Sequence, residues 1–183
     1  VISLDLKNAE INCNILDWDY TIYPPGHFDI IWASPPCDTF STLRRSWIGR
    51  KLKVFGDNIV TAEMLDNDME ENGLPILNRT IEIIDYFNPK FYFIENPKTG
   101  KMKNYIKLPF YDVDYCRYGL EYKKSTRIWT NSTTFIPRLC NCVGKHKESI
   151  GGHGTKTCKN ISQLNLKYRI PSQLINDLFE SIV

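Results

Sequence analysis

Apolar and polar residues alternate along this chain at two different periods. Short apolar, β-branched or aromatic runs recur at 1–6 (VISLDL), 28–34 (FDIIWAS), 91–96 (FYFIEN) and 125–131 (STRIWTN), with weaker ones at 11–17 (INCNILD) and 111–116 (YDVDYC). The near-continuous apolar character of Ile30, Ile31, Trp32 and Ala33 predicts a strand covered on both faces, the habit of parallel sheets. Between two such runs the period becomes helical: Ile76, Leu77, Thr80, Ile81, Ile84 and Phe87 follow Pro75 and stop before the Asn-Pro-Lys at 88–90. A second helix is predicted from Pro171, with Leu174, Ile175, Leu178 and Ile182 on one face. Strands alternating with helices predict an α/β fold with a mostly parallel sheet flanked by helices.

Two segments depart from these periods. Residues 61–72 (TAEMLDNDMEEN) are acidic and read as a solvated helix face or loop. Residues 132–160 lack periodicity yet hold Cys140, Cys142, Cys158, His146 and His153. The expected organisation is a core over 1–131, a small irregular insert over 132–160, and a helix over 161–183 that returns to the core.

Composition narrows the class. A length of 183 residues with 42% hydrophobic content suffices for one domain with a full core, which excludes general disorder. A net charge of +2 is too mild to identify a nucleic-acid binder, so the placement of charge has to make that case. With no apolar run of 18 residues and no basic-then-apolar start, the chain is expected to be soluble and intracellular, with no membrane partner. In that setting its 6 cysteines are expected to be reduced thiols, metal ligands, or both. The sequence opens without methionine inside an apparent strand, and an upstream continuation is expected.

Ligands of open parallel sheets sit at the carboxyl ends of the strands, so polar residues that follow apolar runs are the first candidates for chemistry. Asp5 could accept hydrogen bonds from a ribose diol, although an acidic strand end often binds nothing. Cys37 follows Pro35 and Pro36, whose fixed φ angles stiffen the loop that presents it. A free cysteine is more often an inert buried thiol, and an unperturbed one is only slightly ionised at neutral pH. Glu95 and Asn96 end the run at 91–96, where a carboxyl is costly to bury unless hydrogen-bonded or protonated; a protonated one can act as a general acid.

Together these residues resemble the DNA cytosine-5 methyltransferase family, in its compact phage or virus type. The stretch SPPCDTFS (34–41) is similar to the family's proline-cysteine nucleophile motif, and IENP (94–97) to its glutamate-asparagine motif. KKSTRIW (123–129) resembles the arginine motif, and YRIPSQLI (168–175) the last motif. The resemblance implies a Rossmann-like fold that uses S-adenosylmethionine, with double-stranded DNA as partner. Cys37 would attack C6 of a flipped cytosine, Glu95 would hold and protonate N3 with support from Asn96, and Arg127 would bind the cytosine carbonyl. Asp5 and Leu6 would hold the cofactor ribose, Asp17 and Trp18, beside Leu16, would flank its adenine, and Pro35 would shape the loop. The basic run after Cys37 would face DNA through Phe40, Ser41, Arg44 and Arg45, joined by Lys101 and Lys124. An ordinary exposed basic loop is the plainer reading of that run.

Several positions depart from the family pattern. No Phe-x-Gly-x-Gly loop precedes Val1, Asp38 stands where glutamine is usual, and Ser125 stands where a second arginine is common. The large target-recognition region is replaced by 132–160, whose C-x-C-x3-H-x6-H-x4-C run suggests structural zinc held by Cys140, Cys142, His146 and Cys158, with His153 competing. A flexible loop with reactive cysteines is the alternative. Other functional readings are an amino-methyltransferase that uses no cysteine nucleophile, a tRNA cytosine methyltransferase, and a catalytically impaired nucleic-acid-binding relative.

Overall fold

A computed structural model describes residues 1–143, 146 and 168–182. Each apolar run becomes a strand. The first two, β1 (Leu4–Asp5) and β2 (Ile11–Asn12), pair in parallel as a small separate sheet. The run at 28–34 forms β3 (Ile30–Ala33). A 3-10 helix (Thr42–Trp47) follows, then a hairpin of β4 (Lys51–Leu52) and β5 (Asn58–Ile59) that the hydrophobic pattern does not signal.

The acidic run folds as α1 (Ala62–Asp68), capped by the Thr61 hydroxyl accepting from Met64 N–H at 3.1 Å. Glu63, Glu70 and Glu71 lie outward, Asp66 and Asp68 are part-buried in ion pairs with Lys101 and Arg44, and Leu65 and Met69 are buried. One π-helical turn (Met69–Gly73) joins it to α2 (Leu74–Phe87), which Pro75 starts and a left-handed Asn88 closes. β6 (Phe91–Pro97), β7 (Phe110–Asp114), β8 (Ser125–Thr130) and α3 (Ser172–Glu180) complete the described chain.

The central sheet has the order β3-β6-β8-β7. The bonded pair β3 and β6 runs parallel, and β8 is antiparallel to both β6 and β7, so β3, β6 and β7 share one direction and β8 runs against them. The expected mostly parallel sheet is interrupted at β8, which follows β7 through residues 115–124 with no crossover helix, a connection that reverses strand direction. The α/β character holds, with a helix on each face. On one face α2 sets Leu77 and Ile84 against Ile94 and Trp129, together with Phe40 and Met102. On the other, Leu174 and Leu178 of α3 cover Phe93, Val113 and Ile128. Among the described residues no helix is long and apolar enough to cross a membrane. Most of the expected 132–160 insert, and the start of the 161–183 segment, lie outside the described residues.

Candidate active site

The two parallel strands β3 and β6 build the site. Their register pairs Ala33 with Ile94, so Pro35 and Asn96 each stand two residues beyond the same rung. Asn96, 1% exposed, donates its amide N–H to the Pro35 carbonyl at 2.8 Å and ties the loop after β3 to the end of β6. Two prolines and this hydrogen bond leave the loop little freedom before Cys37. Cys37 is half-buried. Burial pushes its thiol above the ordinary value, Glu95 and Asp38 push it further, and Lys124 opposes them.

Strand alternation turns Glu95 to the opposite face from Asn96. Glu95 is 7% exposed, and its Oε1 accepts from the Tyr115 hydroxyl at 2.8 Å and faces Lys124 Nζ at 3.4 Å. The Lys124 ammonium also lies 4.7 Å from the centre of the Tyr115 ring. Burial and the Glu95 carboxylate hold the Tyr115 phenol far above its ordinary range, so it remains a donor. A carboxyl that is costly to bury thus receives one neutral and one charged partner.

Arg127 lies on the Asn96 side of the sheet, away from Glu95. The β6–β8 register places Ile128 opposite Glu95 and Arg127 opposite Asn96, which directs Arg127 to the other face. There its guanidinium makes a two-point ion pair with Asp112, at 2.8 and 3.1 Å, and stacks 3.5 Å from the Phe110 ring centre. The cation beside Glu95 is Lys124, expected from the sequence as a nucleic-acid contact.

Two residues expected to face DNA are turned inward. Phe40 is 1% exposed and belongs to the core beneath α2, so it has no free face for a base. Arg44 is 7% exposed and is ion-paired to Asp68 of α1. Lys101 is paired with Asp66 at 2.6 Å. Ser41 is half-buried, whereas Arg45, Arg50, Lys51 and Lys53 remain exposed along the 3-10 helix and hairpin, among exposed Leu43, Ile48 and Val54.

Asp5 and Asp17, expected to hold a cofactor, are exposed. Asp5 Oδ1 accepts from Leu6 N–H at 2.6 Å. Arg79 of α2 holds the Leu16 carbonyl at 3.3 Å, and Trp18 packs on Phe87, which fixes the loop carrying Asp17. The Trp18 indole N–H is buried without a partner among the described residues. Solvent-facing carboxylates and an aromatic side chain are groups that fit a ribose and a purine.

A second cluster lies beyond β7. Cys140, Cys142 and His146 converge as the sequence suggests, but the residue that joins them is Cys116, and the four candidate ligand atoms lie within 4.8 Å of one another. The backbone N–H of Cys142 lowers the Cys140 thiol to about 7, while burial and the neighbouring sulfurs push Cys116 up to about 12. Cys116 sits in an aromatic stretch with no metal-ligand spacing of its own, so no sequence pattern signals it. Cys158 and His153 lie outside the described residues.

No protein-family model matches the chain. It is 38% identical over 198 residues to the probable DNA (cytosine-5)-methyltransferase of Frog virus 3 (isolate Goorha), a match spanning 98% of this chain and 87% of that protein.

Proposed function

The chain belongs to the DNA (cytosine-5)-methyltransferase family, and on that premise we propose that it methylates C5 of a cytosine in DNA through a covalent bond from Cys37. The observation that carries this reading is the meeting of the rigid Cys37 loop with Glu95, itself held by Tyr115 and Lys124.

In this reading the Cys37 thiol loses its proton to solvent and the thiolate adds to C6 of the cytosine. Glu95 hydrogen-bonds N3 and delivers a proton there as electron density moves into the ring, which makes C5 nucleophilic. S-adenosylmethionine, when bound, supplies the electrophilic methyl group that C5 takes up. Loss of the C5 proton to solvent then expels the Cys37 thiolate and restores the 5,6 double bond, and the N3 proton returns to Glu95. Tyr115 and Lys124 fix which way Glu95 points. Lys124 also supplies the positive charge that the sequence assigns to Arg127, whose place on the opposite face, paired to Asp112, leaves it outside this scheme. Asp5, Leu6, Asp17, Trp18 and Pro35 would hold the cofactor. The target base must leave its stack, and exposed Arg45, Arg50, Lys51 and Lys53 would take the surrounding phosphates, with Ser41 and Lys101 nearer the loop.

Labelled methyl transfer to duplex and single-stranded DNA, combined with trapping on a 5-fluorocytosine duplex, tests the proposal. We expect C5-methylcytosine as product and a covalent complex that Cys37→Ser does not form. Methylation at an exocyclic amine with Cys37→Ala fully active would overturn it, as would a strict requirement for RNA.

A further inference from the structure

We propose that Cys116, Cys140, Cys142 and His146 form a structural zinc site that locks the segment after β8 onto the turn carrying Tyr115. Zinc bonds of about 2.3 Å to sulfur and about 2.0 Å to nitrogen set tetrahedral ligand atoms roughly 3.5–3.8 Å apart. The Cys140 Sγ to His146 Nε2 distance is already 3.4 Å, and all four atoms fall within 4.8 Å. Closing on the ion therefore requires side-chain adjustments of about 1 Å or less. Three sulfurs and one imidazole fill a tetrahedron and leave no position for water or substrate, which makes the site structural. The three thiols bind as thiolates and release their protons to solvent.

The surrounding hydrogen bonds are those of a supported site. Asp114 Oδ2 accepts from the Cys140 backbone N–H at 2.8 Å, and the Asp114 N–H donates to the Arg138 carbonyl at 3.1 Å. The Arg138 N–H in turn donates to the Tyr118 hydroxyl at 2.9 Å. Cys116 and Tyr118 share one 3-10 turn (Tyr115–Tyr118) with Tyr115. The ion would thus join two stretches distant in sequence, in a segment whose exposed Ile136, Leu139 and Val143 supply little core of their own. This inference stands apart from the methyl-transfer reading, because it concerns metal content and ligand identity.

The test is metal analysis and X-ray absorption on the full chain, purified with zinc and reductant and then washed with a mild chelator. Stoichiometric zinc with a shell of three sulfurs and one nitrogen is expected. Cys116→Ser should lose that zinc, while Cys158→Ser and His153→Ala keep both the metal and the shell. The Cys158→Ser measurement decides the matter even if Cys116→Ser fails to fold, because Cys116 must then supply the third sulfur. Reduced wild-type protein without zinc, or a shell of two sulfurs and two nitrogens, would overturn the proposal. Loss of the metal in Cys158→Ser with retention in Cys116→Ser would also overturn it.

Discussion

Burial raises the Cys37 thiol most, Glu95 on the neighbouring strand adds to it, and each charged neighbour has a sign that can be measured. The carboxylate raises the thiol and the Lys124 ammonium lowers it. Glu95→Gln should therefore speed alkylation of Cys37 by iodoacetamide at a fixed pH near 8, and Lys124→Met should slow it. Each unit of pKa moved is worth about tenfold in thiolate fraction while the thiol remains mostly protonated. Peptide mass spectrometry at Cys37 gives the rates, and equal rates in all three proteins would show that the groups do not act on the thiol. Cys37 and Glu95 were legible in the sequence because each follows an apolar run by a fixed step. Tyr115 and the inward turn of Lys124 were not, since their contacts depend on how β7 and β8 meet β6. Phe40 misleads for a related reason: an aromatic between threonine and serine looks like loop surface until α2 is packed above it.

The linked helices after the hairpin set the back wall of the Cys37 loop. At Gly73, in the π-helical turn, a Cβ would stand 2.2 Å from Thr39 Oγ1 and 3.1 Å from Phe40 Cε2. Those atoms belong to the loop just after Cys37, so Gly73→Ala should force it to shift. We expect a loss of about 1–3 kcal/mol in stability, as for other overpacked sites, together with reduced turnover. Thr39→Ala should recover part of both in the double variant, read as a coupling energy by urea unfolding. The sequence showed where α2 lies because its period is unbroken, and it showed the polar face of the acidic run. It could not show the π-helical turn, which arises where α1 and α2 pack as one element around the loop.

The β7–β8 pair carries an acid sensor for the fold as a whole. Burial raises Asp112, but hydrogen bonds from Arg127 and Lys98 outweigh it and hold the carboxyl below its ordinary value of 3.8. A folded value below the unfolded one contributes stability above about pH 4, and this contribution disappears as pH falls through the folded value. Asp112→Asn should lower the urea midpoint at pH 7 and flatten the further fall as pH drops below about 4. An unchanged acid limb would remove Asp112 from the account. Sheet direction was the part of the fold least visible in sequence, because an apolar run fixes that a strand is buried and leaves its polarity open.

The order β3-β6-β8-β7 also bears on how the chain is made. The strand at the end of the sheet precedes in sequence the strand that lies between it and β6. During synthesis at about 5–20 residues per second, Phe110–Asp114 leaves the ribosome before it has a neighbour to bond. It must wait until Ser125–Thr130 arrives to bridge it to β6. Until then Glu95 lacks Lys124 and the rung that sets its position, whereas Asn96 beside it can already hold the Cys37 loop. In the nascent chain the partners that orient Glu95, Tyr115 and Lys124, are the last of this group to arrive.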